Sequence, residues 1–290
     1  MNTDKIKKIG NIPNVISDIP SLPVVASRIL QIIADDSSSL EELKKVISLD
    51  QSFSSRLLRI ANSPYYMRGR SVGDVTDAII RIGFNTIKAL IFAASLKDLF
   101  RMPGNTDRLL WEHNMAVSVG STVIANETGL IASGEPLIHG LLHDVGKVVI
   151  NLTMREKYAE VIRVVKERNI SFMEAEPGVL GFDHCDVGEY VAQQWNLPAN
   201  LSFVIANHHR EDLLEIATDT ELKKIVLIVK AADALCSELG IGLAHGETLT
   251  EDEWKFLKLS RHKKRDGISK KIEEEYPHYK DFMMGHEPSQ

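Results

Sequence analysis

Apolar residues recur at three- and four-residue spacing along almost the whole chain, and no alternating β-branched run is long enough to pair as a strand. That periodicity restricts the chain to packed helices. Val24, Val25, Ile29, Leu30, Ile32 and Ile33 form a first stripe. Ser39 with Glu42 has capping-box spacing ahead of Leu40, Leu43, Val46 and Ile47. A third helix carries Phe53, Leu57, Leu58 and Ile60 and ends at the NSPYY segment, where the residue before proline avoids the α region. Asp74 is the expected N-cap of a fourth, with Val75, Ala78, Ile79 and Ile82. Gly83 separates it from a fifth bearing Ile87, Leu90, Ile91, Ala94 and Leu96.

Helices of two to four turns do not stand alone in water and must cover one another's apolar sides. The polar segment RMPGNTD at 101–107, with Pro103 and Gly104, is the best boundary. The organisation expected is an N-terminal helical lobe over 1–105 and a second, larger helical bundle with a charged tail over 106–290. Further helices are expected at about 108–127, 137–142, 155–168, 187–195, 203–208 and 221–239, then a helical tail anchored by Leu257 and Ile272. Hydrophobic residues make up 44% of the chain and charged residues 26%, enough for a real core and too apolar for disorder.

The same composition removes several classes of function. Two cysteines, Cys185 and Cys236, cannot build a disulfide framework and fit a reducing compartment. The N-terminus lacks the apolar run of a secretory signal, and the greasy stretch at 87–100 is interrupted by Lys88, Lys97 and Asp98 and is too short to cross a bilayer. A cytoplasmic protein without a membrane association is the expectation. Residues 74–95 have the outline of a helix-turn-helix, but Asn85, Thr86 and Lys88 are the only polar readers on its second helix, so ordinary helix packing is the better account.

Charge and histidine are unevenly placed. Residues 1–101 hold 14 Lys and Arg against 10 Asp and Glu, a basic excess too small to imply nucleic-acid binding; the remainder holds 20 against 30. All ten histidines lie after residue 101, which gives that part the ligand types of a divalent-metal site.

The strongest local signal is HGLLHDVGK at 139–147. His143 and Asp144 are adjacent, and a carboxylate can bridge two ions where an imidazole cannot. Gly146 would let the backbone leave the helix, and Lys147 would place a cation for a phosphate oxygen or simply neutralise Asp144. His113, His184, the pair His208 and His209, and Asp233 each lie near an apolar helical surface, where a polar group is costly unless paired or bound to metal. They read as inward-facing ligands on separate helices. The bland alternative is a structural Asp144–Lys147 ion pair and ordinary buried, hydrogen-bonded histidines. Two adjacent helical histidines point about 100° apart, so His208 is favoured as a ligand and His209 would bind, orient its neighbour or face solvent. His139 reads as core or surface, Cys185 as packing, and His245, His262, His278 and His286 as solvated.

HGLLHDVGK resembles the HD signature of the metal-dependent phosphohydrolase superfamily. With WEHNMAVSVGSTVIA, GFDHCDVGEYVAQQWNLP, IANHHRE and the N-terminal phrases LPSLPVVASRILQIIADD and GDVTDAIIRIGFNTIKALI, the chain is similar to the HDOD group within it, over about residues 18–240. The resemblance implies an all-α fold in which a helical N-terminal lobe packs on an HD-domain-like helical bundle. It implies that His113, His143, Asp144 and Asp233 hold a first metal, and that Asp144 bridges to a second held by His184 with His208, His209 or both. The chain departs from the cyclic-di-GMP-hydrolysing relatives: HHREDLLEIA has no GYP, which argues against that substrate, and Leu109 stands where some carry a glutamate, which argues against a trinuclear centre.

Two functions follow from the resemblance. The first is a bacterial signal-transduction module that retains a divalent-metal site (Fe, Mn, Co, Zn or Mg, one or two ions) and meets a protein partner through its N-terminal lobe, where Pro64-Tyr65-Tyr66 is an expected exposed aromatic stretch. The second is a dinuclear phosphohydrolase acting on a phosphate ester or nucleotide, with Asp144 and Lys147 as catalytic groups and Arg210 steadying the phosphate.

Overall fold

The computed structural model describes residues 12, 16, 19–34, 39–48, 51–63, 66–67, 69–96, 104–131, 135–216, 219–243 and 248–284. Within them the chain is all-α, with sixteen helices and no strand. The first five are α1 Val24–Ala34, α2 Leu40–Ile47, α3 Gln51–Ala61, α4 Val75–Ile82 and α5 Phe84–Ser95. The Ser39–Glu42 capping box starts α2 and the Asp74 side chain caps α4 by accepting from the Asp77 N–H, both as the sequence signals. Gly83 at φ 99° ends α4, and α5 leaves at 108° to it. Thr86 and Lys88 are buried, so α5 presents no nucleic-acid-reading face at those positions.

The remaining helices are α6 Asn105–Thr128, α7 Glu135–Leu142, α8 Val145–Thr153, α9 Arg155–Arg168, α10 Phe172–Leu180, α11 His184–Gln194, α12 Ala199–Asn207, α13 Leu213–Ile216, α14 Thr220–Glu238, α15 Glu251–Phe256 and α16 His262–Met284. Helix α6 is the axis. It is buried from Leu110 to Ala125, and α7, α14 and α16 pack around it. Helix α1 lies on α5, which in turn packs on α7. The Trp195 indole N–H donates to the Pro20 carbonyl at 2.9 Å, a second tie between the first helices and the bundle.

Helix α16 spans both parts, touching α6, α3 and α5. Its anchor Ile272 and the preceding Leu257 are fully buried, as the sparse apolar pattern of the tail suggests. Tyr66, expected in an exposed stretch, is instead half-buried, its hydroxyl 2.6 Å from that of Tyr279 on α16; Pro64 and Tyr65 lie outside the described residues. The boundary segment 101–107 is described only from Gly104, which precedes α6. No single helix among the described residues is long and apolar enough to cross a membrane.

Candidate metal centre

Helix starts and stops, not helix middles, set much of this site. Helix α7 stops at Leu142, and His143 and Asp144 form the turn into α8. Asp144 occupies the N-cap position of α8, yet its side chain makes no capping bond and turns inward. Gly146 does not release the chain from a helix, as the sequence suggested. A Cβ there would lie 1.9 Å from the His184 carbonyl oxygen, so glycine is needed for α8 to approach the start of α11. A capping box of Asp183 and Asp186 starts α11 and makes His184 its first residue. His208 is the C-cap of α12. His113 comes from the middle of α6 and Asp233 from α14. The loop after α14 folds back over α6 through Leu243 N–H to Leu109 O at 3.1 Å. Gly242, at φ 79°, allows this, since a Cβ would meet the Leu109 oxygen at 2.5 Å.

Asp144 is the hub. Its Oδ2 lies 3.4 Å from His143 Nε2 and 3.8 Å from His113 Nε2, and its Oδ1 lies 3.3 Å from His184 Nε2 and 3.4 Å from His208 Nε2. Asp233 Oδ1 approaches His113 Nε2 at 3.0 Å. His209 joins the Oδ1 side, its ring centroid 4.2 Å from that of His208 and 5.0 Å from that of His184. The donors therefore fall into two groups that share Asp144. One is His113 with His143, near Asp233; the other is His184, His208 and His209, and within each set one ligand atom per residue lies within 4.8 Å of the others.

The far nitrogens explain why Nε2 faces inward. His143 Nδ1 lies 2.7 Å from the Gly140 carbonyl, His208 Nδ1 3.0 Å from that of Ile205, and His113 Nδ1 3.4 Å from that of Ile241. Carbonyls only accept, so each Nδ1 carries the proton and each Nε2 carries a lone pair. His184 is held by a carboxylate that the sequence reading missed. Glu176 Oε2 is 2.6 Å from His184 Nδ1 and also accepts the His184 backbone N–H at 2.8 Å. Glu176 is itself fully buried on α10. The signal was present: Phe172, Ala175 and Glu176 share the inward side of that helix.

Four imidazole Nε2 atoms (His113, His143, His184 and His208) and Asp144 Oδ1 have no aligned hydrogen-bond partner among the described residues, although all are buried. Each such atom costs about 1–3 kcal/mol in a core. A shared cation satisfies all of them together, so the donor set fits one or two divalent ions better than it fits ordinary packing. The ions would be held by His113, His143, Asp144 and Asp233, and by Asp144, His184, His208 and His209. Such ions supply Lewis acidity and an activated water when they have an open position.

The electrostatics agree. Burial pushes the His143 pKa down and takes that of His184 to about 3, so both imidazoles are neutral, the form that ligates. Burial would raise the pKa of Asp144, but the carboxyl is held well below its usual range, with the Lys147 ammonium 2.7 Å away contributing to this. Lys147 Nζ is 2.7 Å from Asp144 Oδ2 and 4.8 Å from the Phe172 ring centre, so here it neutralises Asp144. Arg210 does not reach inward; its guanidinium forms a two-point pair with Asp212 at 2.8 Å on the surface. Cys185 Sγ is 3.9 Å from His208 Nδ1, and burial raises its pKa well above the usual thiol value, so it packs as a neutral thiol. His139 lies outside the cluster, its Nδ1 bonded to the Glu135 carbonyl at 2.9 Å. His262 is exposed and His278 half-buried, while His245 and His286 lie outside the described residues.

The HDOD domain profile matches residues 19–211, and the chain belongs to that family. A solved HDOD domain protein of unknown function from Geobacter sulfurreducens is 25% identical, with a TM-score of 0.77 over 96% of this chain and 98% of that one. Two others share the fold. A candidate signal transduction protein from Marinobacter aquaeolei VT8 gives a TM-score of 0.73 at 19% identity, covering 98% of this chain and 65% of its own. A candidate phosphohydrolase from Shewanella amazonensis SB2B gives 0.66 at 19%, covering 98% and 97%. An uncharacterized protein of Treponema pallidum (strain Nichols) is 26% identical over 72% of this chain, which spans 41% of that relative's length.

Proposed function

We propose that this chain is a regulatory HDOD module whose His/Asp centre holds one or two divalent ions and whose first five helices meet a partner protein. The observation that carries this reading is the closure of the centre. Asp144, His184 and His208 are 0% exposed and His113 and His143 only 1%. A phosphate ester would have to displace packed side chains to reach ions held by ligands this deeply buried, which favours a structural or sensing role over a catalytic one. The large apolar side chains that are exposed among the described residues, Val24, Met67 and Ile80, all lie in the first hundred residues, which supports a contact surface there.

A second reading, a metal-dependent phosphohydrolase, is favoured by one feature. The two oxygens of Asp144 face two separate donor groups, the arrangement that a two-metal clamp on a phosphate ester requires. Asp144 would bridge the ions, and Lys147 would shift from Asp144 to the phosphate.

One experiment separates them. Metal-reconstituted full chain is assayed on a generic phosphodiester, mononucleotides and cyclic dinucleotides, alongside D144A and H184A. Turnover near about 1 per second that both substitutions abolish would overturn the regulatory reading, since that is within the ordinary enzymatic range. Absence of turnover, together with a partner whose binding weakens in I80D but not in D144A, is the outcome expected.

A further inference from the structure

Apart from the Asp144 hub, an ion pair is shut inside the bundle between α14 and α15. Lys230 and Glu253 are 4% and 1% exposed, and Lys230 Nζ lies 2.8 Å from Glu253 Oε1. Replacing a buried pair of this kind by apolar side chains is often neutral or stabilising, so stability alone does not account for it.

Its further contacts do. The same ammonium donates to the Arg210 carbonyl at 3.3 Å. Arg210 directly follows His208 and His209, and its own N–H donates to the Asn207 carbonyl at 3.0 Å. Lys230 therefore holds the end of the turn that presents both histidines. The Arg210 side chain points outward onto Asp212, so only its backbone takes part. At the other end of the pair, Glu253 Oε2 accepts the Thr250 N–H at 2.8 Å and closes the capping box that starts α15. One carboxylate thus ties the start of α15 to α14, one helical turn ahead of Asp233, and through Lys230 to the His208–His209 turn.

We propose that Lys230 and Glu253 are positioning residues for the metal centre, and that they couple ion binding on the His184 side to the seating of α15. This rests on the reading that the centre binds divalent ions. When α15 loosens, Lys230 loses its carboxylate, the Arg210 carbonyl loses its donor, and the two histidines lose their fixed approach to Asp144. The coupling is reciprocal: an ion that fixes the turn also favours a seated α15. A contact that draws α15 away would lower ion affinity by the same factor.

The test is titration of metal-free full chain with Co2+, read by visible absorption, for the parent, K230M, K230M/E253Q, H184A and H184A/K230M. In K230M the ion on the His184 side should bind about tenfold more weakly, the lower end of what losing a group that orients a ligand costs. In the H184A background K230M should change the affinity of the remaining ion by less than about twofold, since the two substitutions act on one site. K230M/E253Q leaves no unpaired buried charge, so it should regain stability to urea without regaining Co2+ affinity. Hydrogen exchange at residues 250–257 should slow on adding Co2+ to the parent and not on adding it to K230M. A parent that takes up no Co2+ would overturn the metal reading and this coupling with it. A parent that binds Co2+ no better than K230M does would overturn the coupling alone, as would affinity that returns together with stability in K230M/E253Q.

Discussion

His184 is gripped twice by one oxygen of Glu176: Oε2 accepts its backbone N–H at 2.8 Å and lies 2.6 Å from its ring Nδ1. The grip fixes where α11 begins and which way the imidazole faces, so Nε2 points at Asp144 at 3.3 Å. A carboxylate behind a ligating histidine raises its basicity and holds its tautomer, and losing one costs about 10–100-fold in metal affinity. E176Q should therefore weaken binding of the ion on the His184 side by about that factor, with Asp144, His113 and His143 retaining the other. Burial raises the Glu176 pKa well above the usual carboxylate range, against the pull of Lys147. An ion on Nε2 requires the proton on Nδ1 and a charged Glu176, so binding expels a proton and affinity should rise with pH. Metal titration at pH 6 and 8 checks this; an E176Q slope equal to that of the parent would refute the coupling.

Asp144 serves both donor groups, so its loss should remove both ions. D144N keeps the shape and should reduce metal content, measured by elemental analysis of untagged protein, from roughly one to two ions to near zero. D144A should also cost stability. It leaves the buried Lys147 ammonium without its 2.7 Å partner, an uncompensated charge worth about 3–5 kcal/mol. Unchanged metal in D144N would reduce Asp144 to an ion-pair residue.

Two glycines, Gly146 on α8 and Gly178 on α10, should respond with opposite sign. G146A places a Cβ 1.9 Å from the His184 carbonyl oxygen and must push α8 off α11. Overpacking against backbone costs about 1–3 kcal/mol or more, so urea denaturation should show at least that loss, with reduced metal retention. Gly178 on α10 has open space where its Cβ would stand, and G178A should stabilise by up to about 1 kcal/mol through helix propensity. Equal effects would show that the α8–α11 approach has slack.

The phrases carrying His113, His143, Asp144, His184, His208 and Asp233 were legible because each sits in a helical pattern where a polar residue has no ordinary reason to face inward. What supports them was not. Helix α10 carries Pro177 and Gly178, which argue locally against a helix, although Ser171 and Glu174 form its capping box. Without that helix nothing in the sequence marks Glu176 as an inward-facing carboxylate. The role of Gly146 depends on how near α11 comes, a tertiary distance that spacing cannot give. The tail was readable through Leu257 and Ile272, but not its bond from Tyr279 back to Tyr66.

That tail contains a carboxylate in the wrong surroundings. Glu275 on α16 is 7% exposed, and its Oε2 has no hydrogen-bond partner among the described residues. Burial, with the nearby Glu274 adding to it, raises the Glu275 pKa from 4.5 to about 7. A carboxyl with a raised folded-state pKa binds its proton more tightly folded than unfolded. Its penalty is therefore absent below the unfolded value, grows between about pH 4.5 and 7, and is complete above pH 7. E275Q removes the charge and keeps the shape. Thermal or urea unfolding at pH 8 should show a gain of about 1 kcal/mol, the scale of one buried unsatisfied polar atom, and the gain should vanish near pH 4. A gain of the same size at both pH values would mean that the glutamate destabilises through packing and not through its charge.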